Sequence, residues 1–172
     1  EQELTGELDV FAANHEISDA VIPPTVTRIG ESGFSDCTSL AEISIPEGVK
    51  RICNNGFHNC SNLATVTLPN SLTEIGAWAF DDCIALTEIV LPSGLKRIEQ
   101  SAFEDCITLA ALELPEGLEY IGSQVFGWCS QLEALIIPDS VPDIGDHAFA
   151  DCEGLRSICF SRGTPKLGRN IF

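Results

Sequence analysis

Eight cysteines, three histidines and 26 acidic residues are the groups in this 172-residue chain that could carry chemistry. Eight cysteines in so short a chain suggest a disulfide framework or a zinc site. Their spacing argues against both. Cys37, Cys60, Cys83, Cys106, Cys129 and Cys152 recur every 23 residues, each three residues after a phenylalanine. Copies of one position in stacked coils lie about 4.8 Å apart with parallel side-chain vectors, which is marginal for a disulfide. Free cysteine behaves as a small hydrophobe. The spacing therefore predicts a buried, reduced thiol ladder. Cys53 and Cys159 fall out of phase and are expected to be the exposed or paired thiols.

Asp36, Asp82, Asp105 and Asp151 each precede a ladder cysteine, with Asn59 and Trp128 at the same position in other units. A calcium ladder is the sharp reading of that row. An Asx cap on the following turn is the simpler one, and Trp128 argues against an essential ligand, so no metal site is expected. His15, His58 and His147 occupy three different positions of the repeat, and none forms a recurring dyad with a nucleophile or carboxylate. No phosphate loop, nucleophile elbow, H-E-x-x-H helix or dinucleotide fingerprint is present. The expectation is a protein without catalytic residues and without a cofactor.

The elements that position these groups follow from the period. Phe34, Phe57, Phe80, Phe103, Phe126 and Phe149 recur at intervals of 23, and Phe11 and Phe172 extend the row. Leucine follows each cysteine by three, then an alternating pair such as Ile43/Ile45 or Val66/Leu68, then proline in most units. The unit reads F-x-x-C-x-x-L-x-x-I-x-I-P-x-x-L-x-x-I-G-x-x-A. One unit cannot bury its own apolar residues, whereas stacked units bury them in a continuous core. The alternation before proline predicts a short parallel strand, ended where proline lacks an N–H. The small residues around phenylalanine predict a short helical turn, and the recurring glycines suit a tight turn. Residues 1–10 read as an acidic N-terminal segment. Residues 11–172 read as one repeat domain: a degenerate unit over about 11–22, in-phase units over about 23–160, and an incomplete unit over about 161–172. Phe172 either caps the core or marks a cut within a longer array. Starting at Glu1 without a basic, apolar leader, the chain reads as a processed or trimmed product.

Apolar residues make up 44% of the chain and the net charge is −17. The first value supports a packed core. The second opposes binding to nucleic acid or anionic lipid, and no apolar run is long enough for direct membrane insertion.

The 23-residue unit closely resembles the BspA-like class of leucine-rich repeats over residues 11–172. The resemblance implies a right-handed solenoid of stacked coils, with short parallel strands on one face and short helical turns and irregular segments elsewhere. It also implies an extracellular or cell-surface binding module for a protein or glycoprotein, with no catalytic residues to carry over. The alternative is a structural spacer within a longer surface protein. Candidate contact residues lie where units differ. Outward strand positions present Val90, Ala111, Ala134 and Ile136, edged by Glu88 and Glu113, which reads either as an apolar patch with a charged rim or as ordinary surface scatter. Trp78 and Trp128 stand in otherwise polar rows. They read as exposed anchors or as indoles shielding a neighbouring coil. The basic strip Arg28, Lys50, Arg51, Lys96 and Arg97 reads as local charge pairing across coils.

Overall fold

The computed structural model describes residues 7–8 and 11–172 as a stack of coils, each 23 residues long. The strands are β1 (Glu7–Leu8), β2 (Arg28–Ile29), β3 (Glu42–Ser44), β4 (Arg51–Ile52), β5 (Thr65–Thr67), β6 (Glu74–Ile75), β7 (Arg97–Ile98), β8 (Tyr120–Ile121), β9 (Ala134–Ile137), β10 (Asp143–Ile144), β11 (Ser157–Phe160) and β12 (Lys166–Leu167). All pairings are parallel, and those from β2 onward join residues 23 apart, as in Arg28↔Arg51 and Ile158↔Leu135, whereas β1 pairs with β2 at a spacing of 21 (Glu7↔Arg28). β1 lies within the segment expected to precede the repeats, yet it already pairs with β2. Residues 1–6 and 9–10 of that segment lie outside the described residues.

Three faces carry backbone hydrogen bonds between coils. The largest β-sheet is not on the predicted strand. It is an eight-stranded sheet, β1-β2-β4-β6-β7-β8-β10-β12, built from the residues around the recurring isoleucine. The predicted strand row is present but interrupted: β3 pairs with β5, β9 pairs with β11, and a single bridge, Glu88↔Ala111, stands between them.

The third ladder runs along the phenylalanine turns. The N–H groups of Ser32, Phe34 and Asp36 donate to the carbonyls of Asn54, Gly56 and His58 at 3.0, 2.8 and 2.8 Å, and later coils repeat the pattern. In place of a helical turn, this segment holds two left-handed residues per coil. One row is Ser32, Asn55, Trp78, Ser101, Gln124, His147 and Asn170. The other is Ala13, Asp36, Asn59, Asp82, Asp105, Trp128 and Asp151, and φ lies between 48° and 60° throughout. Asp and Asn tolerate this region better than most L-residues. The Asx row is therefore selected by backbone conformation, not as a cap on the following turn.

The core lies between these faces. Phe34, Phe57, Phe80, Phe103, Phe126 and Phe149 are fully or almost fully buried, and neighbouring rings stack with centroids 5.1–5.9 Å apart. Burying each such side chain stabilises the stack by about 1.5–3 kcal/mol. The thiol ladder has a specific role. Each ladder cysteine donates to the carbonyl of the phenylalanine one coil back, from Cys37 to Phe11 (3.2 Å) through Cys152 to Phe126 (2.8 Å). The same carbonyl also accepts the backbone N–H three residues on, as Phe34 does from Cys37 at 3.2 Å, so the thiol is its second donor. No disulfide joins the eight cysteines. Burial pushes the Cys60 thiol up to about 12, and raises Cys83, Cys106 and Cys129 well above the usual range.

Cys53 is buried, contrary to the sequence expectation, while Cys159 is exposed as expected. Cys53 occupies the recurring glycine position, and Gly76 of the next coil closes over it. A Cβ on Gly76 would sit 2.7 Å from the Cys53 carbonyl carbon. Close approach of successive coils, and not a positive φ, explains glycine here. At the ends, Phe11 and Ile17 are half-buried, and Phe172 stacks on Phe149 at 6.2 Å while 69% exposed.

Candidate functional site

The alternating strand row places side chains inward and outward by turns. Ile89, Leu91, Leu112 and Leu114 enter the core, and Glu88, Val90, Ala111 and Glu113 face solvent. These four outward residues gather around the isolated bridge, where they line a shallow groove of about 200 Å³. Val90 is 81% exposed in that groove. Ala134 and Ile136 lie beyond an interruption in strand pairing, on β9, where Ile136 is 62% exposed beside Cys159 of β11.

The tryptophans lie elsewhere, on the left-handed turn face. Trp78 has φ 54° and is 37% exposed; Trp128 has φ 57° and is 41% exposed. Each indole therefore presents part of its surface and rests the remainder on its surroundings. The eight sequence-predicted contact residues thus divide between two faces, and the tryptophans belong to coils two repeats apart.

The basic strip pairs across coils as expected. Arg51 meets Glu74 at 3.1 Å, Lys96 meets Glu119 at 3.0 Å, and the Arg97 guanidinium stands 4.2 Å over the Tyr120 ring. At such exposed positions each pair contributes little.

One grouping was missed. His58 and Asp81 are one repeat apart, so successive coils stack them. Nδ1 of His58 lies 3.1 Å from Oδ2 of Asp81. The left-handed backbone at Asp82 turns its carboxylate toward the same point, and one ligand atom from each of the three residues falls within 4.8 Å of the others. His58 Nδ1 is buried and has no hydrogen-bond partner, because its contact with Asp81 lacks hydrogen-bond geometry. Burial, reinforced by the charge of Asp82, pushes the Asp81 carboxyl up to about 6. Adding 23 to the number of each histidine would have exposed this pair in the sequence.

Among the described residues no helix is long and apolar enough to cross a membrane. Curated protein sequences show no match to the chain. Solved structures do. A leucine-rich repeat protein of T. pallidum is 32% identical with a TM-score of 0.80, over 83% of this chain and 67% of that one. A leucine-rich repeat protein of Bacteroides ovatus is 36% identical with a TM-score of 0.76, over 80% of this chain and 38% of that one. A leucine-rich cell surface protein of Faecalibacterium prausnitzii is 32% identical with a TM-score of 0.70, over 83% of this chain and 47% of that one. The chain thus spans about two thirds of the first protein and less than half of the other two. The family described as BspA type leucine rich repeat region matches in six copies, over residues 7–133 and 50–172. With the repeat, the stacked-coil fold and these matches in agreement, the chain belongs to the BspA type of leucine-rich repeat proteins.

Proposed function

We propose that this protein is a non-catalytic, surface-displayed module that binds a protein or glycoprotein through its left-handed turn face, with Trp78 and Trp128 as anchors. The observation that carries this reading is their backbone. A bulky L-residue in the left-handed region costs about 1–2 kcal/mol, and the same rows elsewhere hold mainly Asp, Asn and Ser. Left-handed backbone recurs in every coil, but a partly exposed tryptophan kept where small polar residues predominate is a bulky side chain held against local strain, and tryptophan is enriched among binding anchors. The cell-surface relative from Faecalibacterium prausnitzii supports the location. The charge of −17 disfavours nucleic acid as the partner.

The test is a binding screen against matrix proteins, serum glycoproteins and polysaccharides. It compares the parent chain with Trp78→Asn/Trp128→Asn and with Val90→Lys/Ile136→Lys. Saturable binding lost only in the tryptophan variant supports the proposal. Loss only in the lysine variant moves the contact to the strand-row groove. No binding by the parent chain favours a spacer that displays other parts of a longer protein.

A further inference from the structure

We propose that His58, Asp81 and Asp82 form a binding site for one divalent transition-metal ion of the zinc class. The site is built by the repeat. His58 belongs to one coil, Asp81 and Asp82 to the next, and the rigid phenylalanine turns hold the two coils in register. The N–H of Asn59, beside His58, donates to the Asp81 carbonyl at 2.8 Å.

Three observations support a cation here. The first is separation. Nδ1 of His58 and Oδ2 of Asp81 are 3.1 Å apart, and the third ligand atom, from Asp82, lies within 4.8 Å of both. Tetrahedral zinc with bonds of about 2.0–2.1 Å places its ligand atoms roughly 3.3 Å apart. Small side-chain rotations would therefore close three ligands on one ion. The second is the orphaned nitrogen. A buried polar atom without a hydrogen bond is costly, and His58 Nδ1 is such an atom, facing a carboxylate it does not bond. A metal would use its lone pair.

The third is charge. Asp81 and Asp82 bring two adjacent carboxylates to the same point beside His58, and two such carboxylates repel each other. A divalent ion would relieve that repulsion. The donor set selects the class: one imidazole nitrogen with two carboxylates suits zinc-like ions, whereas calcium takes six to eight oxygens. Three protein ligands leave a further coordination position, and the His58 side chain, 33% exposed, leaves the site accessible from solvent.

The experiment is calorimetric titration of the whole chain with zinc chloride, in a Cys159→Ser background that removes the exposed thiol. Parallel titrations use calcium chloride and the variants His58→Ala, Asp81→Asn and His147→Ala. Circular dichroism checks that each variant is folded. The expected result is one equivalent of zinc, no calcium binding, and loss of the zinc site in His58→Ala and Asp81→Asn but not in His147→Ala. Asp81→Asn is nearly isosteric, so it is expected to fold and keeps the test valid if His58→Ala does not. Absence of zinc binding to the parent overturns the proposal. So does zinc binding that survives Asp81→Asn.

Discussion

At the scale of single residues, burial sets the chemistry of the cysteines and of Asp81. Thiolate is the reactive form of cysteine. Cys60, held at about 12, and Cys83, Cys106 and Cys129, raised well above the usual range by burial, stay protonated across physiological pH. A native-state thiol assay should therefore register Cys159 quickly and Cys152 slowly, with all eight thiols appearing only after denaturation. Rapid reaction of six or more in the folded protein would overturn the ladder.

Asp81 gives the second residue-scale prediction. Its carboxyl is raised from 3.8 to about 6 in the folded chain. Folding therefore favours the protonated form. Relative to neutral pH, this group stabilises the metal-free protein below about pH 4, and that benefit is lost as pH rises through about 6. Asp81→Asn should stabilise the metal-free protein at pH 7.5 by on the order of 1–3 kcal/mol. Urea melts at pH 7.5 and pH 3.5 would measure the gain, and equal gains at both would refute it.

At the scale of the element, the phenylalanine turn is both a core wall and a backbone ladder. Phe80 is fully buried, with stacked rings on both sides at 5.3 and 5.4 Å. Phe80→Ala should cost about 3–5 kcal/mol, read as a fall in the urea midpoint; a negligible shift would contradict its inward placement. The recurring glycines test coil spacing in the same way. A Cβ on Gly145 would lie 2.4 Å from the Gly122 backbone, whereas nothing lies within 4 Å of one on Gly163. Gly145→Ala should therefore lower the melting temperature and Gly163→Ala should not. The clash involves backbone on both sides, so no side-chain rotation can relieve it.

At the scale of the molecule, the stack is one-dimensional: each coil is stabilised by its neighbours. Cys106 and Leu109 in a central coil are fully buried, while Cys152 and Leu155 near the end are only half-buried. Local opening should follow this difference. Amide exchange is expected to be slowest around Phe80–Phe126 and fastest beyond Cys152. Uniform protection along the chain would mean that the coils open as a single unit.

The 23-residue period alone determined the solenoid, the identity of the core and the state of the ladder cysteines. Side-chain polarity is written directly in the chain, and one central repeat reports which positions of its neighbours turn inward. Peptide-group orientation is not written that way. The eight-stranded sheet, the interruptions in the predicted strand row and the paired left-handed residues depend on how each peptide rotates when the next coil docks. Only the Asp/Asn row hinted at them, and a cap would explain that row equally well. Cys53 illustrates the difference: its phase suggested exposure, but Gly76 of the following coil covers it. The period would have paired His58 with Asp81 from the sequence, but the approach of the Asp82 carboxylate and the distances among the three groups are set only by the stacking of the two coils.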